Sequence, residues 1–190
     1  MAVQAEVGLQ IALHTVVRGD VRATQMDRLL YSTDASSYRL MPTCVVCPVD
    51  ADDVASAVTV VNHYRASVVP RGGGTSLSGQ TVGEGVVVDL SRHMNDLIEL
   101  NTDKKWAWVQ AGIPLANLNR LLAPHGLKVG PDPASAVAAT IGGMTGNNST
   151  GSHSVIYGMM ADHVKAVDVV LSNGEQVRFE PKTPEQVAVI

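Results

Sequence analysis

Short apolar runs alternate along the chain with glycine-rich and polar breaks, and the spacing of the apolar positions predicts the elements. Residues 3–17 are apolar enough for a helix, and residues 20–30 add another turn or two. Tyr31-Ser32-Thr33-Asp34-Ala35-Ser36-Ser37-Tyr38 is a polar break. Cys44-Val45-Val46-Cys47 is a continuous apolar run stopped by Pro48, the pattern of a short buried strand. Asp50 precedes a segment in which Val54, Val58, Val61 and Tyr64 recur at helical spacing, which predicts a capped helix over 51–64. Residues 67–70 form the next strand, and the strand–helix–strand order predicts a small parallel βαβ unit.

Beyond residue 80 the pattern is mostly strands. Residues 85–90 are apolar, and residues 97–101 and 106–110 flank the polar turn Thr102-Asp103-Lys104-Lys105 as a hairpin. Pro114 opens a helix through Leu115, Leu118, Leu121 and Leu122 that stops at His125-Gly126. Residues 130–158 read as irregular and carry a glycine cluster. Residues 164–171 and 175–179 flank Ser172-Asn173-Gly174, a strong hairpin turn. Thr183-Pro184-Glu185-Gln186 has the cap and first-turn proline of a helix start, yet the sequence stops at Ile190. A helix that short does not hold itself together, so the reading is a piece of a longer polypeptide, with a frayed natural tail as the plain alternative.

Composition narrows the classes. With 190 residues, 45% hydrophobic and 17% charged, the chain can bury a core and is not a disordered tail. A net charge of -4 and 4% aromatics argue against a nucleic-acid partner. No apolar run approaches the ~18 residues of a membrane span, and no signal peptide opens the chain. The expectation is a cytoplasmic protein without a transmembrane segment, with peripheral membrane association through other parts of the full-length protein left open. Two cysteines cannot staple a secreted scaffold of this size. Cys44 and Cys47 form C-x-x-C, but on a strand their sulfurs point to opposite faces, so core packing is expected and no metal site. Trp106 and Trp108 share a strand face and are expected to pack, and no histidine sits in a recognisable catalytic pair.

The remaining chemistry lies in two glycine-rich loops. Pro70-Arg71-Gly72-Gly73-Gly74-Thr75-Ser76-Leu77-Ser78-Gly79-Gln80 follows a strand. Its glycines permit positive φ and close approach of a ligand to the backbone, while successive N–H groups can form a nest for phosphate oxygens. Thr75 and Ser76 add hydroxyls and Arg71 adds charge. A ligand-free surface hairpin is the plain alternative. Gln80 stands where a P-loop needs lysine, which disfavours NTP hydrolysis, and Leu77 stands where the dinucleotide fingerprint needs its last glycine. The later loop is Thr140-Ile141-Gly142-Gly143-Met144-Thr145-Gly146-Asn147-Asn148-Ser149-Thr150-Gly151-Ser152, preceded by Gly130-Pro131-Asp132-Pro133. Two such loops in different sub-patterns suggest one extended ligand gripped from two sides.

In this order, the P-R-G-G-G-T-S-L-S-G-Q loop, the G-P-D-P element and the T-I-G-G-M-T-G-N-N-S-T-G run resemble the FAD-binding domain of the vanillyl-alcohol oxidase type, the PCMH-type flavin fold. The resemblance covers about residues 31–179. It implies an α+β fold in which a small parallel α/β subdomain, about 31–80, precedes a larger, mainly antiparallel sheet with helices, about 81–190. Residues 1–30 are then a helical lead-in. Thr33-Asp34-Ala35-Ser36 and the segment 92–96 are most similar to FAD-linked D-lactate, glycolate and D-2-hydroxyglutarate dehydrogenases, some of which carry an iron–sulfur region after the flavin half.

The resemblance implies that Arg71, Gly72, Gly73, Gly74, Thr75, Ser76, Gly79 and Gln80 wrap the FAD diphosphate. It implies that Pro131, Asp132, Thr140, Gly142, Gly143, Gly146, Asn147, Ser149 and Gly151 line the side towards the ribityl chain and ring. The first loop has no histidine for covalent attachment, so non-covalent FAD is expected. The implied parent enzyme oxidises a small 2-hydroxy acid to the 2-oxo acid by hydride transfer to FAD and passes electrons to a quinone, cytochrome, flavoprotein or iron–sulfur acceptor. Its substrate domain, its catalytic residues and any iron–sulfur cluster lie outside this sequence, and the fragment alone is expected to be inactive. A sugar or alcohol oxidase of the same fold, or a non-catalytic nucleotide-binding module, are the alternatives.

Overall fold

A computed structural model describes residues 2–183. It is a mixed α/β fold with a four-stranded sheet and two antiparallel hairpins. The chain opens with helix α1 (Ala2–Val16), strand β1 (Asp20–Arg22) and helix α2 (Gln25–Leu30). Strand β2 (Cys44–Cys47), helix α3 (Ala51–His63) and strand β3 (Val68–Arg71) follow. Strand β4 (Val86–Asp89) completes the sheet, whose order is β1-β2-β4-β3. β1 is antiparallel to β2, whereas β2, β4 and β3 are mutually parallel.

β2 and β4 are buried throughout because the sheet is covered on both faces, which explains their unbroken apolar runs. Leu9 and Leu13 of α1 and Ala57 and Val61 of α3 pack on Cys44, Val46, Val86 and Val88. Val45, Cys47 and Val87 point the other way, towards Tyr31 and Val69. The two cysteines therefore sit on opposite faces, as the strand period requires, and are free thiols whose burial pushes both up to about 11. Asp50 caps α3 by accepting from the Asp53 N–H at 3.0 Å. Asp53 is itself buried and accepts from the N–H groups of Arg18, Gly19 and Val49 at 2.8, 3.0 and 3.0 Å. One carboxylate thus fixes the α1–β1 turn to the start of α3.

The second half is built round another core. Strands β5 (Leu97–Asn101) and β6 (Trp106–Val109) form the first hairpin. Helix α4 (Leu115–Leu122) buries Leu115, Leu118 and Leu122 against Ile113, Ala139, Ile141 and Met144. Helices α5 (Ile141–Gly146) and α6 (Ser154–Tyr157) lead to the hairpin of β7 (Val167–Val170) and β8 (Gln176–Phe179), turned by Gly174 at φ 87°. Arg178 pairs with Asp168 across that hairpin at 2.6 and 2.7 Å and stacks 4.8 Å from the Trp108 ring. Gln176 donates to Asp52 of α3 at 2.7 Å, so β7–β8 ties the two halves together.

Three features differ from the sequence reading. β2 and β3 are parallel but not neighbours, because β4 returns from beyond residue 80 to lie between them. Residues 20–30 begin as a strand, and Thr24 then starts α2 by accepting from the Asp27 N–H at 3.2 Å. The stretch 130–158, read as irregular, contains α5 and α6. The helix start read from Pro184 onward lies outside the described residues.

Candidate functional site

The first glycine loop leaves the carboxyl end of β3, next to the carboxyl end of the central strand β4, where open α/β sheets hold their ligands. Two supports shape it from behind. Asp34 accepts from the Thr81 hydroxyl at 2.9 Å and from the Ser36 N–H at 2.8 Å. Burial raises its carboxyl, but these hydrogen bonds outweigh burial and hold it below the ordinary 3.8. The Ala35 N–H donates to the Gly74 carbonyl at 3.0 Å. Ser76 is buried, and its hydroxyl oxygen accepts from the Ser78 and Gln80 N–H groups, both at 3.3 Å.

The second loop is anchored to the segment before α4. Thr140 is buried and caps α5, its hydroxyl accepting from the Gly143 N–H at 3.3 Å. The Ile141 N–H donates to the Ile113 carbonyl at 3.0 Å, and the Gly142 N–H to the Ala111 carbonyl at 2.8 Å. These tertiary partners hold a helix whose three glycines would otherwise disfavour it.

The two loops touch. A Cβ on Gly72 would sit 2.1 Å from the Thr140 hydroxyl, and one on Gly73 would sit 1.9 Å from the Ala138 carbonyl. Of the three consecutive glycines, Gly74 alone has positive φ, at 65°. Gly72 and Gly73 thus lack side chains where Thr140 and Ala138 already sit, and positive φ is required at Gly74 but not at these two.

Together the loops line one cleft of about 290 Å³. Of the residues expected to bind a cofactor, Gly72, Gly73, Gly74, Thr75, Ser76 and Gln80 line it from one side, and Thr140, Gly143, Asn147 and Ser149 from the other. Leu77, Thr81, Ser135, Ala139 and Met144 line it as well and were missed. Leu77 and Thr81 lie within or beside the quoted loop, whereas Ser135 and Ala139 sit in an alanine-rich run with no motif to mark them.

The other expected residues do not line the cleft. Arg71 turns its guanidinium behind the loop. Gly79, at φ 77°, packs on the Tyr38 ring, and Gly142 packs on Ala111. Gly151 lies against Asp132, and Gly146 has open space where a Cβ would be. Asp132, which follows the buried Pro131, accepts from the His153 N–H at 3.1 Å and pairs with the His153 Nδ1. That imidazole holds the Asp132 carboxyl below its ordinary value.

The lining has a clear chemical character. It contains no carboxylate, so nothing in it repels an anion. Among the described residues, the N–H groups of residues 73–77 donate to no other group of the chain. The same holds for the side chains of Thr75, Gln80, Ser135, Asn147 and Ser149, none of which makes a hydrogen bond among the described residues. Successive unpaired backbone donors at the end of a parallel strand make a concave anion site, and the flanking hydroxyls and amides extend it along the second wall. An elongated phosphate-bearing cofactor suits this donor set.

Comparison with known proteins agrees. The profile of the FAD binding domain family matches residues 42–180. The chain is 41% identical over 167 residues to D-2-hydroxyglutarate dehydrogenase of Pseudomonas putida, covering 86% of this chain and 17% of that protein. It is 38% identical over 163 residues to glycolate oxidase subunit GlcD of Bacillus subtilis, covering 85% of this chain and 35% of that one. The chain thus spans between about a sixth and a third of the length of these relatives. Among solved structures, alkyldihydroxyacetonephosphate synthase superposes with a TM-score of 0.76 at 23% identity, covering 85% of this chain and 32% of that chain. The 6-hydroxy-D-nicotine oxidase of Arthrobacter nicotinovorans does so with 0.76 at 21%, covering 86% and 36%, and these likenesses establish the shared fold. Two glycine loops joined over one donor-lined cleft, in a sequence that the family profile matches over most of its length, make this chain a member of the FAD binding domain family.

Proposed function

We propose that the cleft binds FAD non-covalently and that the domain serves a larger flavoenzyme acting on a 2-hydroxy acid. The observation that carries this reading is the convergence of both loops on one cleft lined by unpaired donors and free of carboxylates. The N–H groups of residues 73–77, with the Thr75 hydroxyl, receive the diphosphate. Asn147 and Ser149 supply polar contacts along the opposite wall, while Ala139 and Met144 give that wall apolar surface. No lining residue carries an imidazole, thiol or phenol, which supports a cofactor held by hydrogen bonds and packing alone.

Bound FAD supplies the two-electron acceptor for oxidation of the hydroxy acid to the oxo acid. This chain's residues bind and orient it. The substrate class rests on the relatives, whose names specify D-2-hydroxyglutarate dehydrogenase, glycolate oxidase and, at 33% identity in Kluyveromyces lactis, cytochrome-linked D-lactate dehydrogenase. Those proteins extend well beyond this chain, and the substrate-binding groups are assigned to the parts it does not span.

Adding FAD to the purified protein tests the reading. A perturbed, protein-associated flavin absorption spectrum is expected, with all of the flavin released intact on acid precipitation. A protein that leaves the FAD spectrum unchanged overturns the cofactor assignment, and flavin retained on the precipitate overturns the non-covalent one.

A further inference from the structure

Arg71 is the charged residue nearest the diphosphate cradle, and an arginine there invites assignment as a phosphate ligand. Its surroundings give it another task. Arg71 ends β3 opposite Asp89 of β4. Its Nη1 donates to the Thr33 carbonyl at 3.0 Å and to the Thr81 carbonyl at 3.2 Å. The guanidinium carbon lies 5.5 Å from the centre of the Tyr31 ring. That ring is fixed in turn, because the Tyr31 hydroxyl donates to Asp89 at 2.6 Å, and the buried Asp89 also accepts from the Ser91 N–H and hydroxyl at 2.8 and 2.6 Å. The guanidinium then passes under Gly74, where a Cβ would meet its Nη2 at 2.4 Å.

From these contacts we infer that Arg71 is a positioning residue for the cofactor cradle and not a ligand of the phosphates. One planar side chain joins three segments: the polar break at Thr33, the glycine turn at Gly74 and the far end of the loop at Thr81. Its Nη1 serves two protein carbonyls and its face serves Tyr31; Nε and Nη2 donate to no group among the described residues, yet the side chain does not line the cleft, which its neighbours form. Lysine cannot replace it, since a single ammonium lacks the flat fork that bonds to one side and stacks on another. The inference rests on the FAD reading for its consequence, but the geometry it claims belongs to the protein alone.

Two measurements on the wild type and on the Arg71→Met and Arg71→Lys variants test it. Amide hydrogen exchange without FAD should show the Ala35, Ser78 and Gln80 amides, which bond to the Gly74 carbonyl and the Ser76 hydroxyl, exchanging about tenfold faster in both variants, with β2 and α3 unchanged, the loss of roughly one charge-assisted hydrogen bond. FAD titration at low and high salt should show affinity about tenfold weaker in both variants, with the salt dependence of the wild type retained. If Arg71 contacts the phosphates directly, loop exchange stays at the wild-type rate, Arg71→Lys keeps most of the affinity, and Arg71→Met loses the salt dependence; that pattern overturns the inference. Should one variant fail to fold, the other still decides. Were no protein, wild type included, to bind FAD, the cofactor reading would fail, while the exchange rates would still decide whether Arg71 holds the loop.

Discussion

The two glycine loops look alike in sequence and do opposite jobs. In the first, the N–H groups of residues 73–77 stay unpaired among the described residues, and the surrounding protein grips the loop's carbonyls and side chains. In the second, the first N–H groups of α5 are consumed by Ile113, Ala111 and Thr140, so that its backbone is a wall and its donors are the Asn147 and Ser149 side chains, free among the described residues. Glycine serves the first loop by letting it lie on the second, and serves the second by letting α5 lie on Ala111. A glycine-rich segment therefore announces close approach of something, and at Gly73 and Gly142 the partner is the protein's own backbone.

The contrast can be broken most severely at the contact itself. Gly73→Ala places a methyl against the Ala138 backbone carbonyl, which cannot rotate away, and pushes the loops apart. We expect destabilisation of about 1–3 kcal/mol and at least a tenfold loss of FAD affinity, read by thermal melting and flavin titration. Thr140→Val removes the α5 cap while keeping the shape, and should cost about 1 kcal/mol in a melt, with a smaller effect on FAD than Gly73→Ala.

Acid should loosen both walls, since the Asp34 and Asp132 carboxyls are both held below their ordinary value. A carboxyl depressed in the folded state contributes stability that is complete above its unfolded value, near 3.8, and is lost as pH falls through the folded one. Protection of the Ser36 and His153 amides, which donate to these carboxylates, should therefore fall below about pH 4 when taken relative to the intrinsic exchange rate at each pH, with Asp34→Asn removing the first response and Asp132→Asn the second. The smallest effect belongs to Gly146→Ala. Nothing in the protein lies within 4 Å of the added methyl, and the φ there is not positive, so stability should be unchanged or rise by about 0.4–1 kcal/mol. A large loss of FAD affinity in this variant would show that the cofactor itself fills that space.

What could be read from sequence was what neighbouring residues decide. The faces of Cys44 and Cys47 follow from the strand period, the start of α3 from Asp50, and the β7–β8 turn from Asn173-Gly174. The spacing of leucines after Pro114 gave α4. Non-local partners hid the rest. The insertion of β4 between β2 and β3 depends on pairing with Cys44 and Val68, far away along the chain. The α5 helix opposes its own glycine content, although Thr140 followed by Ile141 and Met144 at helical spacing was a signal available to find it. Asp53 gave no sign that it would collect three backbone N–H groups, because two of them come from the α1–β1 turn. At the site, the loops could be named but not their division of labour: the unpaired donors of residues 73–77 and the reversal of Arg71 exist once the segment at Thr33 has closed behind the loop.

In this reading, the first loop's backbone donors hold a diphosphate in a cleft closed by the second loop. Competition between FAD and riboflavin, with inorganic pyrophosphate as a third ligand, tests it most directly, because riboflavin keeps the ring and lacks both phosphates. FAD should bind at least a hundredfold more tightly than riboflavin, the worth of roughly two charge-assisted hydrogen bonds, and pyrophosphate should displace it. Equal affinity for FAD and riboflavin, with pyrophosphate unable to compete, would contradict this reading.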